Sequence, residues 1–457
     1  MAGPALDSRL LRNHATQGLD PHAPHKQGEL PHLDQPNKRM RLLIFGSNYA
    51  PEVTGSGRYT SQMATWLADR GHDVTVITAP PHYPAWRIDE AYARQGFKTE
   101  NLEGVRVHRT PLYVPRANRA STLRRILMET SFTANSSAWW LRKLFRRPGP
   151  DVVICICPPM QIVLWPWIMR LARRAPVVLH VQDLQFDAAM NLGMLGSRRI
   201  ARLLSSVERA ALSMATHIST ISDSMRTRIA SKGFSLSDIS LVPNWTSTTP
   251  DTDLERVKRF RDKHDIGPNQ ILALYSGNLG RKQGLSTLLD TANLLRENRS
   301  IRFLIIGQGV DEVRLKARAK ELELKNVRFG DLVPEEELST LLTAADIHMI
   351  IQQEAATDLV MPSKLTNILA VGRPSVATAH RDSEIGKVLL ERNAGTIVPP
   401  GDPVALAAAV ATISQNAAAR VEMGKNARAY AEANLNINVI LAGLEVTLSQ
   451  FAARRAR

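Results

Sequence analysis

Twice along this chain, short runs of aliphatic and β-branched residues alternate with segments of helical length, and that alternation limits the fold more than any single motif. The first series reads "RLLIFGS", "HDVTVITA", "VRVHRTPL", "DVVICIC" and "PVVLHVQD". After "HISTISDSMRTRIASKG" and "ISLVPNW" a second series begins: "ILALYSG", "RFLIIGQG", "VRFGDLV", "DIHMIIQ" and "PSVATA". Strands joined by helix-length connections pair in parallel through right-handed crossovers. A break near residues 243–250 then divides the chain into two doubly wound α/β domains facing a cleft, and 457 residues suit two cores better than one. The expected layout is a tail over 1–38, an N-terminal domain over 39–245, a C-terminal domain over 246–430, and a helix over 431–457 packing back on the first domain. The tail has five prolines, four of the chain's twelve histidines and no hydrophobic period, so it is expected to be disordered. It has no apolar core of a secretory signal, and Met40, just before the first strand, is a candidate start.

A formal charge of +15 points toward phosphates, whether on nucleotides, nucleic acid or a membrane surface. The excess is uneven: from Arg109 to Arg147 there are nine Lys or Arg (Arg109, Arg116, Arg119, Arg124, Arg125, Arg142, Lys143, Arg146 and Arg147) against one acid, Glu129. Trp139 and Trp140 lie inside this cluster, so it reads either as an interfacial patch or as a solvated helix face over a core tryptophan pair. The two cysteines, Cys155 and Cys157, point the same way on a strand and cannot easily bridge; reduced, buried thiols in a cytosolic compartment are expected. Residues 152–169 carry no charge, but Pro158, Pro159 and Pro166 break them into a buried strand, a turn and a buried helix.

Ligands of doubly wound sheets collect at the carboxyl ends of the strands, which brings together the loops at 277–284, 307–309 and 360–367. The first is no Walker A loop. It still sets Gly277, Asn278, Arg281 and Lys282 before a helix, where glycines, backbone amides and cations suit an anion; a plain solvated turn is the alternative. Gly307 opens the second. In the third, Ser363 fits a helix cap, Lys364 falls in the first turn, and Asn367 lies one turn on along the same side. Two helix ends aimed at one point suit a diphosphate. In the first half, Gly55 and Gly57 precede a helix and are further candidates for donor binding, but they stand too far from their strand for a dinucleotide fingerprint, and the next strand ends in Ala79 rather than an acid. His180, Gln182 and Asp183 end a strand at the cleft, either as reacting-centre groups or as a polar cluster fixing a loop. His82, Tyr83, Trp86 and Asp187 are candidates for the acceptor side. Asp251 and Asp253 imitate a metal-binding DxD yet follow Pro250 at a helix start, where capping is the simpler reading.

From about Arg41 onward the chain resembles the family 4 glycosyltransferases of the GT-B fold. The resemblance is carried by "PEVTGSGRYTSQMATWLADRGHDVTVITA", "ISTISDSMRTRIASKG", "ISLVPNW", "YSGNLGRKQGLSTLLD", "IIGQG", "VRFGDLVPEEELSTLLTAADI" and "PSKLTNILAVGRPSVAT". "YSGNLGRKQGL" with "QDLQFDAA" looks most like the branch containing colanic-acid-type fucosyltransferases of surface-polysaccharide synthesis. The resemblance implies retaining transfer of a sugar from a nucleoside diphosphate donor, bound on the C-terminal domain, to an acceptor on the N-terminal one. It implies no metal and no cofactor, a lipid-linked acceptor, no nucleic acid, and a cytoplasmic enzyme peripheral to the inner membrane face. The sequence departs from the family pattern where Asn278 replaces an Arg and Gln283 a Lys, leaving Arg281 and Lys282 for the diphosphate. The family's paired glutamates fall on Leu359 and Asn367, with Asp358 a substitute for the first; its His before Asp falls on Gln182. A sugar-nucleotide epimerase on the same fold, or a basic nucleic-acid-binding protein, is the alternative; no stacking array of aromatic and basic residues supports the latter.

Overall fold

The computed structural model describes residues 38–457 apart from 53–54, 84, 94, 116–121, 185–197, 355–362 and 457; within helices, the side chains of 122–123, 198–201, 282, 363 and 456 also lie outside the description. The expected tail, Asp187, Asp358 and Leu359 therefore fall outside it.

The first sheet contains β1 (Arg41–Phe45), β2 (Asp73–Thr78), β3 (Lys98–Leu102), β4 (Val105–Arg109), β5 (Val152–Cys157), β6 (Val177–Val181), β7 (His217–Thr220) and β8 (Ile239–Leu241), in the order β3-β4-β2-β1-β5-β6-β7-β8. All neighbours are parallel except β3 with β4. Every residue of β5 and β6 is buried, as a parallel strand covered on both faces requires. Alternate residues feed two cores. Phe45, Cys155 and Cys157 join Phe132 and Trp140 on one side; Ile44, Ile154 and Ile156 join Leu441, Leu444 and Leu448 of the helix Ile437–Ala456 on the other. Both cysteines are free, and burial pushes their thiols well up, which keeps them protonated.

The second sheet contains β9 (Ile271–Ser276), β10 (Ile301–Ile306), β11 (Val327–Gly330), β12 (Ile347–Ile350), β13 (Ser375–Thr378) and β14 (Gly395–Val398), in the order β11-β10-β9-β12-β13-β14. Strand order reverses between β1 and β5 and again between β9 and β12, and a crevice opens at each reversal. The DxD pair is a cap. Asp253 accepts the Arg256 amide at 3.0 Å, and Asp251 takes the Asp253 amide and the Thr340 hydroxyl. The charge-free stretch is β5, a turn, a short 3₁₀ segment Met160–Val163 and the helix Leu164–Arg173. Among the described residues no single helix is long and apolar enough to cross a membrane; one pair, Pro403–Gln415 and Ala417–Asn434, reaches the necessary length and composition only together, across a 100° bend.

The last helix is fastened by a buried carboxylate. Glu445 lies 2.9 Å from His72 Nε2 and 3.3 Å from Arg70, and is 2% exposed. Removing one member of a buried charged cluster leaves the others uncompensated. Glu445→Ala is expected to destabilise the N-terminal domain by about 3 kcal/mol in urea unfolding, and Glu445→Gln by less.

Candidate active site

The loops after β9 and β10 are zipped together. Gly277 N donates to Ile306 O at 2.8 Å and Leu279 N to Gln308 O at 2.9 Å. A side-chain carbon on Gly307 would lie 1.8 Å from the Gly277 carbonyl oxygen. This corrects the sequence expectation for these two glycines: their first requirement is loop-to-loop packing, and the Gly277 amide is committed to β10 rather than offered to an anion. Arg281 opens a 3₁₀ turn, Arg281–Gln283, with its side chain exposed ahead of the helix Ser286–Leu294. The side chains of Lys282 and Ser363 lie outside the described residues.

Lys364, in the first turn of the helix Ser363–Ala370, reaches the same loop. Its Nζ donates to the Tyr275 hydroxyl at 3.1 Å and sits 4.6 Å from the ring centre, while that hydroxyl donates to the Asn278 carbonyl at 2.9 Å. The lysine's tail lies across Gly277, where a side-chain carbon would come within 1.8 Å of Nζ. Burial pushes the Lys364 ammonium down to about 8. Asn367 is used otherwise than expected. Its Oδ1 accepts from Thr246 at 2.8 Å and Thr248 at 3.2 Å, tying the interdomain linker instead of facing the glycine loops.

On the first sheet one carboxylate that sequence reading passed over orders two loops. Glu52 is buried; its Oε1 accepts the amides of His82 at 2.7 Å and Tyr83 at 2.9 Å, and its Oε2 accepts from Asn48 at 2.8 Å. Gly57 fits against it, since a side-chain carbon there would stand 3.1 Å from Oε2. The signal was present as a lone acid in the otherwise uncharged "SNYAPEVTGSG". Gly55 begins the helix Gly55–Asp69 with φ +61°, beside the half-exposed Tyr83, whose ring meets Trp86 edge-on at 6.3 Å. His82 is buried against Pro80 O.

His180 points into the sheet, not the crevice. It is 3% exposed, its Nδ1 lies 3.0 Å from Ser219 Oγ, and burial pushes its pKa down to about 4, so the ring is neutral at physiological pH. Of the two sequence readings, the structure gives His180 the fixing role. Gln182 anchors its backbone to Cys157 O at 2.8 Å, with half-buried Asp183 next to it. Gln182 Nε2, Gln283 Oε1 and Gln352 Oε1 are buried without a hydrogen-bond partner among the described residues, and they follow β6, β9 and β12. Three unmet amide groups at the carboxyl ends of strands are places for ligand atoms. Gln283 lay in the glycine loop already singled out, whereas Gln352 had no sequence signal, because only the topology brings it to the crevice.

The two halves meet across the cleft. Arg58 pairs with Glu335 at 3.4 Å, Ser224 N donates to Glu384 at 2.6 Å, and the Tyr59 hydroxyl is hydrogen-bonded to that of Thr366, two residues from Lys364. Helix starts at Gly55 and Ser363 thus come together around one crevice. Residues 54–245 match the family described as "Glycosyl transferase 4-like domain", and residues 257–430 match "Glycosyl transferases group 1". The chain is 38% identical over 410 residues to the "Putative colanic acid biosynthesis glycosyl transferase WcaI" of Escherichia coli K12, covering 88% of this chain and 98% of that protein. The chain belongs to the family 4 glycosyltransferases. Its fold is GT-B, like that of the sucrose-phosphate synthase of Thermosynechococcus elongatus (TM-score 0.69, 19% identity, 91% and 100% of the two chains). It is also like that of Anabaena HepE in complex with UDP-glucose (TM-score 0.63, 14% identity, 90% and 100%).

The two zipped loops therefore carry two kinds of glycine, and they are separable. Gly307→Ala drives a methyl into backbone and is expected to cost about 3 kcal/mol by overpacking. Gly277→Ala meets only the movable end of Lys364 but also strains a φ of +145°, so it should cost less stability while displacing the ammonium. Thermal unfolding of both variants, beside nucleoside diphosphate binding, checks the ordering.

Proposed function

We propose that this glycosyltransferase moves a sugar, with retention and without a metal, from a nucleoside diphosphate donor to a lipid-linked acceptor in surface-polysaccharide synthesis. The observation that carries this reading is the half-buried Lys364 ammonium held by Tyr275 at the second sheet's strand-order reversal, against the loop that also carries Arg281. Support for the donor class comes from the HepE complex with UDP-glucose, and support for the process from the name of the colanic acid relative. The leaving nucleoside diphosphate gains negative charge as the glycosidic bond breaks. Arg281 and Lys364 are the cations placed to stabilise it, with Gln283 and Gln352 supplying acceptors for neighbouring hydroxyls. Glu52 holds the His82 and Tyr83 loop as the acceptor wall opposite. Asp183 and Gln182 then face the sugar from β6, while His180 keeps the strand end in place.

Lys364→Met is expected to lower kcat by ~10²–10³ without loss of fold. The parent's affinity for nucleoside diphosphates should fall between pH 7 and 9.5, because the free enzyme's lysine loses its proton near 8 and with it the charge the anion needs. Lys364→Arg keeps its charge throughout and should flatten that profile. A screen of nucleoside diphosphate sugars, GDP-fucose included, by acceptor-dependent turnover in EDTA tests the reading directly. Turnover that vanishes in EDTA and returns with Mg²⁺ would remove the metal-free mechanism; donor conversion without any acceptor would favour an epimerase.

Membrane seating belongs to the same proposal, with the anchor revised. Trp140 is buried edge-on against Phe45, Trp139 stacks on His108 at 4.2 Å, and Arg109 is buried between Glu100 and the carbonyls of Ala50 and Ala79, so none of the three is available to lipid. Phe145 (80% exposed), Leu141, Ile126 and Leu127 are the exposed apolar groups of that segment, beside Arg125. Each basic residue at an anionic surface contributes ~1 kcal/mol. The protein should float with anionic vesicles but not neutral ones, and Leu141→Ser with Phe145→Ser should abolish flotation while turnover of a soluble acceptor continues.

A further inference from the structure

The amino-terminal ends of the first sheet's strands, opposite the catalytic crevice, surround a cavity of about 470 Å³. That volume lies within the ~300–1,000 Å³ of ordinary ligand sites. Its walls come from the starts of β1, β2 and β4 and from the helix Ser137–Phe145 with the segment after it. Three faces of that helix have separate uses: Trp140 enters the core, Leu141 and Phe145 are exposed, and Trp139, Arg142 and Lys143 line the cavity, joined by Arg146 just past the helix end. Arg106 faces them from β4, and Arg147 closes the rim. Among the described residues Asp73 is the one carboxylate in this wall. Arg41 also borders it, but Asp151 already engages that guanidinium through both oxygens, at 2.5 and 3.1 Å. A second cavity, of about 670 Å³, continues past Arg147, Pro148 and Gly149 to Arg173, Arg174 and Arg455.

Gathering these cations is electrostatically costly. Lys143 is half-buried, and burial together with Arg106, Arg142 and Arg146 makes its ammonium easier to deprotonate. His108 is pushed down to about 4 by burial and by Lys143, Arg106 and Arg142, so its ring stays neutral, bonded through Nδ1 to Thr99 at 2.9 Å and braced on Trp139. Converging guanidinium and ammonium groups around a concave site, with too few carboxylates to balance them, suit an anion bearing several charges in close sequence. Arginine forks add bidentate geometry matched to phosphoryl oxygens. We infer that this amino-end cavity is a second anion site, separate from the donor cleft, for a ligand carrying multiply charged phosphoryl oxygens. A phosphomonoester lipid headgroup and a soluble oligophosphate share that chemistry.

Inorganic tripolyphosphate titrated calorimetrically into the full-length protein at fixed ionic strength tests the site. The cleft variant Arg281→Ala/Lys364→Met should retain binding. The triple variant Arg106→Gln/Lys143→Gln/Arg146→Gln should lose about tenfold or more, near 1.4 kcal/mol, with acceptor-dependent turnover unchanged. Arg106→Lys/Arg146→Lys, which keeps the charge, should hold most of the affinity and guards against a folding artefact. Phosphatidate vesicles then separate the sources, using the Leu141→Ser/Phe145→Ser protein: binding that tripolyphosphate displaces assigns a headgroup, and absence of vesicle binding assigns a soluble ligand. Tripolyphosphate affinity of the triple variant within twofold of the parent, or binding lost entirely in the cleft variant, would overturn the site.

Discussion

Everything in the donor half depends on how closely two loops approach one another where β9 and β10 end. Backbone of one touches backbone of the other at Gly307 and Gly277, and the hydrogen bonds Gly277 N to Ile306 O and Leu279 N to Gln308 O close the seam. Because no side chain intervenes, the surface of Gly277 is left open as a groove, and the Lys364 tail fills it. The lysine is therefore positioned by the backbone of another element rather than by its own helix alone. Its partial burial lowers its hold on a proton, and an anion arriving beside it would restore that hold.

The first domain uses a carboxylate to the same end. Glu52 gathers two loops that share no secondary structure, and its two oxygens satisfy amides of one and a carboxamide of the other. A buried, fully bonded carboxylate in a loop is more rigid than the loop's sequence predicts. The exposed ring of Tyr83, met edge-on by the partly buried Trp86, stands on that support, while Arg58 and Tyr59 of the adjoining helix reach the second domain.

Much of the architecture was legible because parallel strands buried on both faces are rich in aliphatic residues, as β1, β2, β5, β6, β9 and β10 all are. β3, "KTENL", was illegible for the complementary reason: it is an antiparallel edge strand alternating half-buried with exposed positions, and it contains one aliphatic residue. β14, "GTIV", is too short to stand out. At the site, Lys364 and Arg281 could be found from position relative to glycines and helix starts. Asn367 could not be assigned, since its partners Thr246 and Thr248 lie more than a hundred residues away. Trp139 and Trp140 misled because adjacent residues on a helix point about 100° apart; one of the pair faces the core and the other a cavity wall.

The linker contacts have a mechanical consequence. Thr246 pairs with the final segment through Leu435 O, and Thr246 and Thr248 both hold Asn367, which shares a short helix with Lys364. Trp245 is pinned from the first domain by Gln62 at 2.8 Å. A hinge through these few residues cannot swing the domains apart without pulling on the carboxamide one turn from the ammonium. Opening the cleft would thus tilt the helix that presents Lys364 as well as widen the gap. A nucleoside diphosphate bound as proposed would lose its counter-charge as its exit path opened, so release and loss of grip would be a single motion.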